Sequence, residues 1–359
     1  MLLAYLDNNA TTPIAPEVAA VMQPYFQELF GNPSSTHVKG VELGDVIEQA
    51  RNHVASLLNA DANEVTFNSG GSESNNHVLK GIFLKRKQFL GGHLVISCFE
   101  HPAIQQPAAY LESLGIEVTR VGCNPFGTVD PVEVKAAIRP DTRLVSIMHA
   151  NNEIGAIQPI AEFAHYCREH GVLSHTDAAH SLGKMNLDVK ELGVDFLTLA
   201  GHKLYAPKGV GALFIREGVV LEPLIHGASH ESGVRAGTEN TAYWVGLGEA
   251  CRILMRDAVT HSNQLRFKRD LLYSRLKEAI VDLSVNGGVP ERLHGFLKIQ
   301  ATDYFGNISN PEYSDDYFIL GDPRGDLNIN FVDEEENILL IDWSWIDDQV
   351  ISFTPDALE

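Results

Sequence analysis

From about residue 16 to residue 220 the chain alternates short β-branched runs, each closed by small or polar residues, with longer stretches of helical spacing. The strand-like runs are EVTFNSG (64–70), HLVISCFE (93–100), EVTRVG (117–122), RLVSIMHA (143–150), VLSHTDA (172–178), DFLTLAG (195–201) and GALFIRE (211–217). Helix candidates such as SESNNHVLKGIFLKRK and PIAEFAHYCREHG lie between them, the second starting after Pro159 and stopping at Gly171. Repeated βα units of this kind fold into an α/β architecture, a mainly parallel sheet covered by helices on both faces. The last two runs are joined only by GHKLYAPKGV, too short for a helical crossover, so one strand there is expected to run antiparallel. A long amphipathic stretch, residues 238–283, predicts a helix leading to a smaller domain.

With 359 residues the chain is long enough for one large core or for two unequal domains. No apolar run approaches a bilayer span, and MLLAYLDNNATT has neither the basic start nor the apolar length of a signal peptide, so a cytoplasmic setting is expected. A net charge of −20 disfavours nucleic acid and anionic membrane as partners. Residues 301–359 hold 15 Asp/Glu against one basic residue, Arg324, a balance of −14 that leaves −6 for the first 300 residues. The same stretch has nine aromatics, and DLNINFVDEEENILLIDWSWIDDQVISFT within it reads as a β-meander with an acidic hairpin turn.

The four cysteines, Cys98, Cys123, Cys167 and Cys251, form no CxxC pair, which argues against a zinc site or a disulfide framework. Cys98 lies three residues before His101, so it is the one cysteine placed to serve a site there, against the more ordinary reading as a small core residue on a strand; the other three read as loop or helix-packing residues.

In parallel sheets ligands bind at the carboxyl ends of strands, and the chemically suggestive residues gather there. NSGGSESNN (68–76) follows a strand and opens a helix, so it serves as a phosphate cradle of free N–H groups or as an ordinary capped helix start. The GxGxxG dinucleotide fingerprint is absent. Asp177 ends a buried strand, where a carboxylate needs a cationic partner or caps the next helix. His101 lies past another strand, as a structural residue or as a ring to stack on a flat ligand. Asn151, Asn152 and Glu153 sit at a third strand end. Lys203 lies 26 residues after Asp177, and a lysine in a partly dry pocket loses its proton readily and condenses with aldehydes. A phosphate cradle, an aspartate for a pyridinium nitrogen, a stacking histidine and an imine-forming lysine together describe a pyridoxal phosphate (PLP) site.

The sequence resembles the cysteine desulfurase/selenocysteine lyase family, a class V group of fold-type-I PLP enzymes. The resemblance rests on YLDNNATTP (5–13), GNPSS (31–35), FNSGGSESNN (67–76), EHPAI (100–104), ANNEIG (150–155), HTDAAHSLGK (175–184), VDFLTLAGHKLYAPKGVGAL (194–213) and VRAGTENT (234–241), and covers residues 4 to about 295. It implies the PLP-dependent transferase fold: a large domain with a seven-stranded, mainly parallel sheet over residues 16–255, and a smaller α+β domain made of residues 1–15 with 256–359. It implies release of sulfur or selenium from cysteine or selenocysteine to leave alanine, a homodimer, and a sulfur-acceptor protein as partner. Lys203 would hold the cofactor and move protons, Asp177 would pair with the ring nitrogen, and His101 would stack on the ring. Gly71, Ser72 and His202 would hold the phosphate, helped by a hydroxyl from around Ser181 or Thr198. Asn152 would lie near the ring hydroxyl and substrate, Thr238 would reach the partner subunit's phosphate, and Asn9, Ala10 and Thr11 would line the substrate pocket.

Two departures from the family pattern stand out. His180 replaces the usual glutamine, giving a donor to the ring oxygen whose charge is expected to vary with pH. The family's persulfide-forming cysteine and carboxylate-gripping arginine lie in the C-terminal small domain, whereas no cysteine follows Cys251 here and only Lys298 and Arg324 are basic beyond Arg292. Their absence implies impaired persulfide formation. It leaves as the alternative a PLP-binding scaffold, or a β-lyase with altered substrate, whose acidic tail binds a partner.

Overall fold

The computed structural model describes residues 8–85, 88–89, 91–279, 283–285, 292, 298–301, 318–319, 331–332 and 338–339. Seven strands form the main sheet: β1 (Val65–Asn68), β2 (His93–Ser97), β3 (Glu117–Val121), β4 (Thr142–Ser146), β5 (Leu173–Asp177), β6 (Phe196–Ala200) and β7 (Gly211–Ile215). Their order is β1-β7-β6-β5-β4-β2-β3. The ladders β2–β3, β2–β4, β4–β5 and β5–β6 are parallel, while β7 runs antiparallel to both of its neighbours, β6 and β1. All seven expected strands are present, and the antiparallel one is where the short 201–210 connection required it.

The strands are buried on both faces because alternate side chains feed two separate cores. Leu94, Ile96, Leu144, Phe196 and Leu213 point to one face, against α3 (Gly71–Phe83) and α4 (Pro102–Ser113). Val95, Val145, Leu197, Ala212 and Phe214 point to the other. That second face is covered by α1 (Pro16–Met22), α2 (Val38–Leu58), α5 (Pro131–Ala137), α6 (Ile160–Glu169) and α7 (Thr241–Ala279). Phe67 of β1 stacks on Trp244 of α7 with ring centroids 4.7 Å apart, and burial of such a ring contributes about 1.5–3 kcal/mol.

The expected long helix is α7, and it runs unbroken through residue 255, where a domain boundary was expected. Beyond it, Leu283–Val285, Lys298–Ala301 and Phe318–Ile319 form an antiparallel three-stranded ladder, and Phe331–Val332 pairs antiparallel with Ile338–Leu339. The acidic DEEEN segment between that last pair, where a hairpin turn was expected, lies outside the described residues. The remainder of the expected meander, including Trp343 and Trp345, lies outside the described residues.

The order places the sheet's switch point between β2 and β4, since the chain leaves β2 for the edge strand β3 and then returns to β4 on its other side. A crevice opens at the carboxyl ends of strands at such a point.

Candidate active site

Three carboxyl ends flank that crevice or stand next to it. β2 leads to His101, β4 to Asn151 and Asn152, and β5 ends in Asp177. β6 adds Lys203 through a single 3-10 turn, Gly201–Lys203. The turn is tight because Gly201 N–H donates to Val210 O at 3.0 Å, and a Cβ on Gly201 would stand 2.8 Å from that same oxygen. Glycine is required by the close approach of the two chain segments.

Lys203 is buried, and its Nζ donates to the carbonyl oxygens of Asn9 and, at 2.8 Å, Ala10. The segment carrying those carbonyls is fastened to the lysine's own loop. Thr12 N–H and the Thr12 hydroxyl both donate to His202 O (3.1 and 2.9 Å), Tyr205 N–H donates to Thr12 Oγ1, and Ala15 N–H donates to Tyr205 O. Asn9 Nδ2 donates to Asn152 O at 2.7 Å, joining this segment to the end of β4. The expected substrate-pocket residues Asn9, Ala10 and Thr11 therefore stand beside Lys203 and Asn152. Thr12, fully buried and the main fastener, was not singled out from the sequence, since a threonine in an NNATTP run carries no burial signal.

Asp177 is buried with two donors of its own, Asn75 Nδ2 at 2.6 Å and Ala179 N–H at 3.0 Å. Burial pushes its carboxyl above the ordinary range, against the lowering influence of those bonds and of His101 and Lys203. Among the described residues this carboxylate is met by neutral donors and forms no ion pair. Asn75 is the further functional residue that sequence reasoning missed. It lies on α3 four residues after Gly71, on the helix face that turns inward with Val78 and Leu79.

α3 begins at Gly71, after Gly70 with φ 135°, a conformation favouring glycine. Ser72 is exposed at this helix start, and no side chain caps it. Its free N–H groups and positive dipole end are available to an anion. His101 caps α4: its Nδ1 accepts from Ala103 N–H at 3.0 Å, with Pro102 in the first helical position. The residue before it, Glu100, is fully buried, accepts from the Ser97 hydroxyl (2.5 Å) and Met148 N–H (2.9 Å), and is pushed up to about 8 by burial.

His202 is pushed down to about 4, by burial first and then by Lys203 and Lys208, so it is neutral at pH 7. Its Nδ1 lies 3.1 Å from the Thr11 hydroxyl; with Nδ1 accepting, the ring proton sits on Nε2, ready for a phosphate oxygen. His180 departs from expectation. Burial, then Lys203 and Lys184, hold it well below the ordinary histidine range, so it stays neutral rather than varying in charge near pH 7. Lys184, also buried, donates to His180 O at 3.0 Å.

The hydroxyls expected to assist the phosphate are engaged inside the fold: Ser181 donates to Ala178 O, and Thr198 Oγ1 pairs with His175 Nε2. Thr238 is exposed between β7 and α7, and nearby Arg235 is paired with Glu73 at 2.9 Å. Cys98 is not the core residue expected; it is exposed, as is Cys123, while Cys167 and Cys251 are buried on helices. A cavity of about 1050 Å³ lies elsewhere, between α2 and residues 228–239, and includes none of the Lys203 cluster.

The residues fit PLP. Asn9 Oδ1 and Asn75 Oδ1 are buried without a hydrogen-bond partner among the described residues, and Asp177 awaits a positive charge. A buried amine stands opposite, with an open helix N-terminus nearby.

The aminotransferase class-V family model matches residues 4–307. The chain belongs to this family. Among its class-V relatives, the cysteine desulfurase IscS of Dictyoglomus turgidum is 44% identical over 289 residues, covering 80% of this chain and 73% of the relative. The cysteine desulfurase of Trichormus azollae is 41% identical over 293 residues, covering 82% and 73%. Among solved structures, a NifS-like protein superposes with a TM-score of 0.79 at 33% identity, covering 84% of this chain and 82% of the other. SspA in complex with cysteine gives 0.76 at 36% identity, covering 84% of both. The class-V family is PLP-dependent, and the fold is that of fold-type-I PLP enzymes.

Proposed function

We propose that this chain is a PLP-dependent cysteine desulfurase-like enzyme that removes sulfur, or selenium, from cysteine or selenocysteine and leaves alanine. The observation that carries this reading is the placement of a buried carboxylate, Asp177, at the end of β5 and a buried amine, Lys203, in the turn just past the neighbouring strand β6.

Lys203 would hold the cofactor, and its amine would move the proton at the substrate's Cα. Asp177, oriented by Asn75 and Ala179, keeps a proton on the ring nitrogen. His101 stacks on the ring. Gly71, Ser72 and neutral His202 hold the phosphate; His180 and Asn152 face the ring oxygen, and Asn9, Ala10 and Thr11 line the substrate side. When bound, PLP supplies an electron sink that stabilises negative charge at Cα. The buried setting of Lys203 excludes water from these proton movements.

The cysteine-bound neighbour supports cysteine as substrate. The homodimer, with Thr238 reaching the partner subunit's phosphate, draws support from the exposure of that residue. The sulfur-acceptor protein, the cytoplasmic setting and the division into 16–255 and 1–15 with 256–359 belong to the same reading. Among the described residues no helix is long and apolar enough to cross a membrane.

One observation favours a second reading: the 359 residues contain no cysteine after Cys251. A chain without the family's persulfide thiol is a PLP-binding scaffold, or a β-lyase for better leaving groups, with the acidic segment as partner-binding surface. Incubation of PLP-loaded protein with cysteine, selenocysteine and an S-substituted cysteine separates the two. Alanine from cysteine or selenocysteine supports the desulfurase-like reading. Pyruvate and ammonia from the substituted substrate alone point to a β-lyase, and bound cofactor with no product to a scaffold.

A further inference from the structure

The sequence spaces Cys98 and Cys123 far apart, but the fold brings them together. β2 and β3 are parallel neighbours, with Ser97 opposite Val121, and the ladder extends one bond further as Cys98 N–H donates to Val121 O at 2.9 Å. This sets the residue after β2 beside the turn after β3. Cys98, one residue past Ser97, and Cys123, two residues past Val121, therefore stand at the same end of this ladder, and both are free and exposed. Gln105 Nε2 donates to Cys98 O at 3.2 Å, fixing the backbone that carries the first thiol. The other two cysteines are buried, with thiols pushed up to about 12, chiefly by burial. Burial, and then Cys98, also raise the Cys123 thiol, but Cys98 and Cys123 are the two exposed thiols and Cys167 and Cys251 are closed off inside helices.

We propose that Cys98 and Cys123 form a redox-active dithiol, a modification site whose substrates are low-molecular-weight compounds with a sulfur–sulfur bond. Two exposed thiols at the same end of adjacent strands are placed to turn a transient mixed disulfide into an internal one. In the first step the Cys98 thiolate attacks one sulfur of RS–SR′. A Cys98–SR bond forms, the S–S bond breaks, and R′S⁻ leaves to take up the proton from Cys98. In the second, Cys123 attacks the Cys98 sulfur. The Cys98–Cys123 bond forms, RS⁻ leaves, and it takes up the Cys123 proton. The pair loses two electrons and two protons, and the reagent is reduced to two thiols. The crosslink joins the edge strand β3 to the segment leading to His101, which caps α4 three residues further on. The site is independent of the function proposed for the Lys203 cluster.

The test uses the full chain loaded with cofactor and hydroxyethyl disulfide as reagent, followed by acid quenching, thiol titration under denaturing conditions, intact mass and peptide mapping. The expected result is a loss of two of the four thiols. The mass falls by two hydrogens with no reagent retained, and a single crosslinked peptide joins Cys98 to Cys123. In Cys98→Ser and Cys123→Ser the remaining thiol of the pair instead keeps one half of the reagent. The proposal is overturned if the wild-type chain keeps all four thiols, retains reagent without crosslinking, or consumes Cys167 or Cys251. The wild-type result decides even if a single variant folds poorly.

Discussion

Asn75 Nδ2 donates to Asp177 Oδ2 across 2.6 Å, linking the second turn of α3 to the end of β5 in a place closed to water. The neutral donor steadies a carboxylate that burial otherwise drives toward protonation. A hydrogen bond to a charged group contributes about 1.5–3 kcal/mol, so Asn75→Ala is expected to weaken PLP binding by about 10- to 100-fold. Equilibrium dialysis against PLP checks this, and a change below about twofold would separate Asn75 from the cofactor.

Acid sensitivity follows from three buried histidines. Burial pushes His77 and His149 down to about 4 and His175 to about 3. The folded chain keeps them neutral while the unfolded chain protonates them below the ordinary value of 6.5. The unfolded state therefore binds more protons, and stability is complete above pH 6.5 and lost as pH falls from there through 4, by up to about 1.4 kcal/mol per pH unit per histidine. His149 Nδ1 has no partner among the described residues, so His149→Leu should fold and show a shallower decline. Urea midpoints between pH 7 and pH 4 provide the comparison; equal slopes would contradict the assignment. Glu100 acts in the opposite sense. The folded chain holds its proton up to about 8, whereas the ordinary value is 4.5, so this group erodes stability as pH rises between those values.

Glu231 forms a bidentate pair with Arg51, 2.7 Å for each bond, and also accepts from Phe67 N–H at 2.6 Å. The Arg51 side chain is only 11% exposed and the Glu231 side chain 3%. Glu231→Ala leaves the buried guanidinium to Glu48 (3.0 Å) and Val65 O (2.9 Å), so it is expected to cost up to about 3 kcal/mol, with Arg51→Met/Glu231→Gln recovering part of the loss. Urea denaturation measures both, and a single-variant loss under about 1 kcal/mol would show the pair to be dispensable.

Much of the fold was legible because β-branched runs and helix punctuation repeat without interruption from residue 64 to residue 217. Lys203, Asp177 and His101 could be found because each follows or ends such a run, and the carboxyl ends of strands are where chemistry collects. Asn75 and Thr12 escaped because their importance lies in burial and in partners 102 and 190 residues away. The placement of Cys98 and Cys123 at one end of the sheet escaped for the same reason: only the β2–β3 register brings the two to the same end. The charge state of His180 is set by its burial and then by Lys203 and Lys184, none of which a local pattern reveals.

Three lysines lie in or near the cluster: Lys203, Lys184 and Lys208, the last donating to Thr12 O at 3.3 Å. Their identity as cofactor anchor is the most direct question. Purified protein is loaded with PLP, reduced with borohydride, digested and mapped by mass spectrometry. The added mass is expected on Lys203, with the visible absorbance band of the bound cofactor lost in Lys203→Ala. Modification of Lys184 or Lys208 instead, or a band that persists in Lys203→Ala, would contradict the assignment of the site.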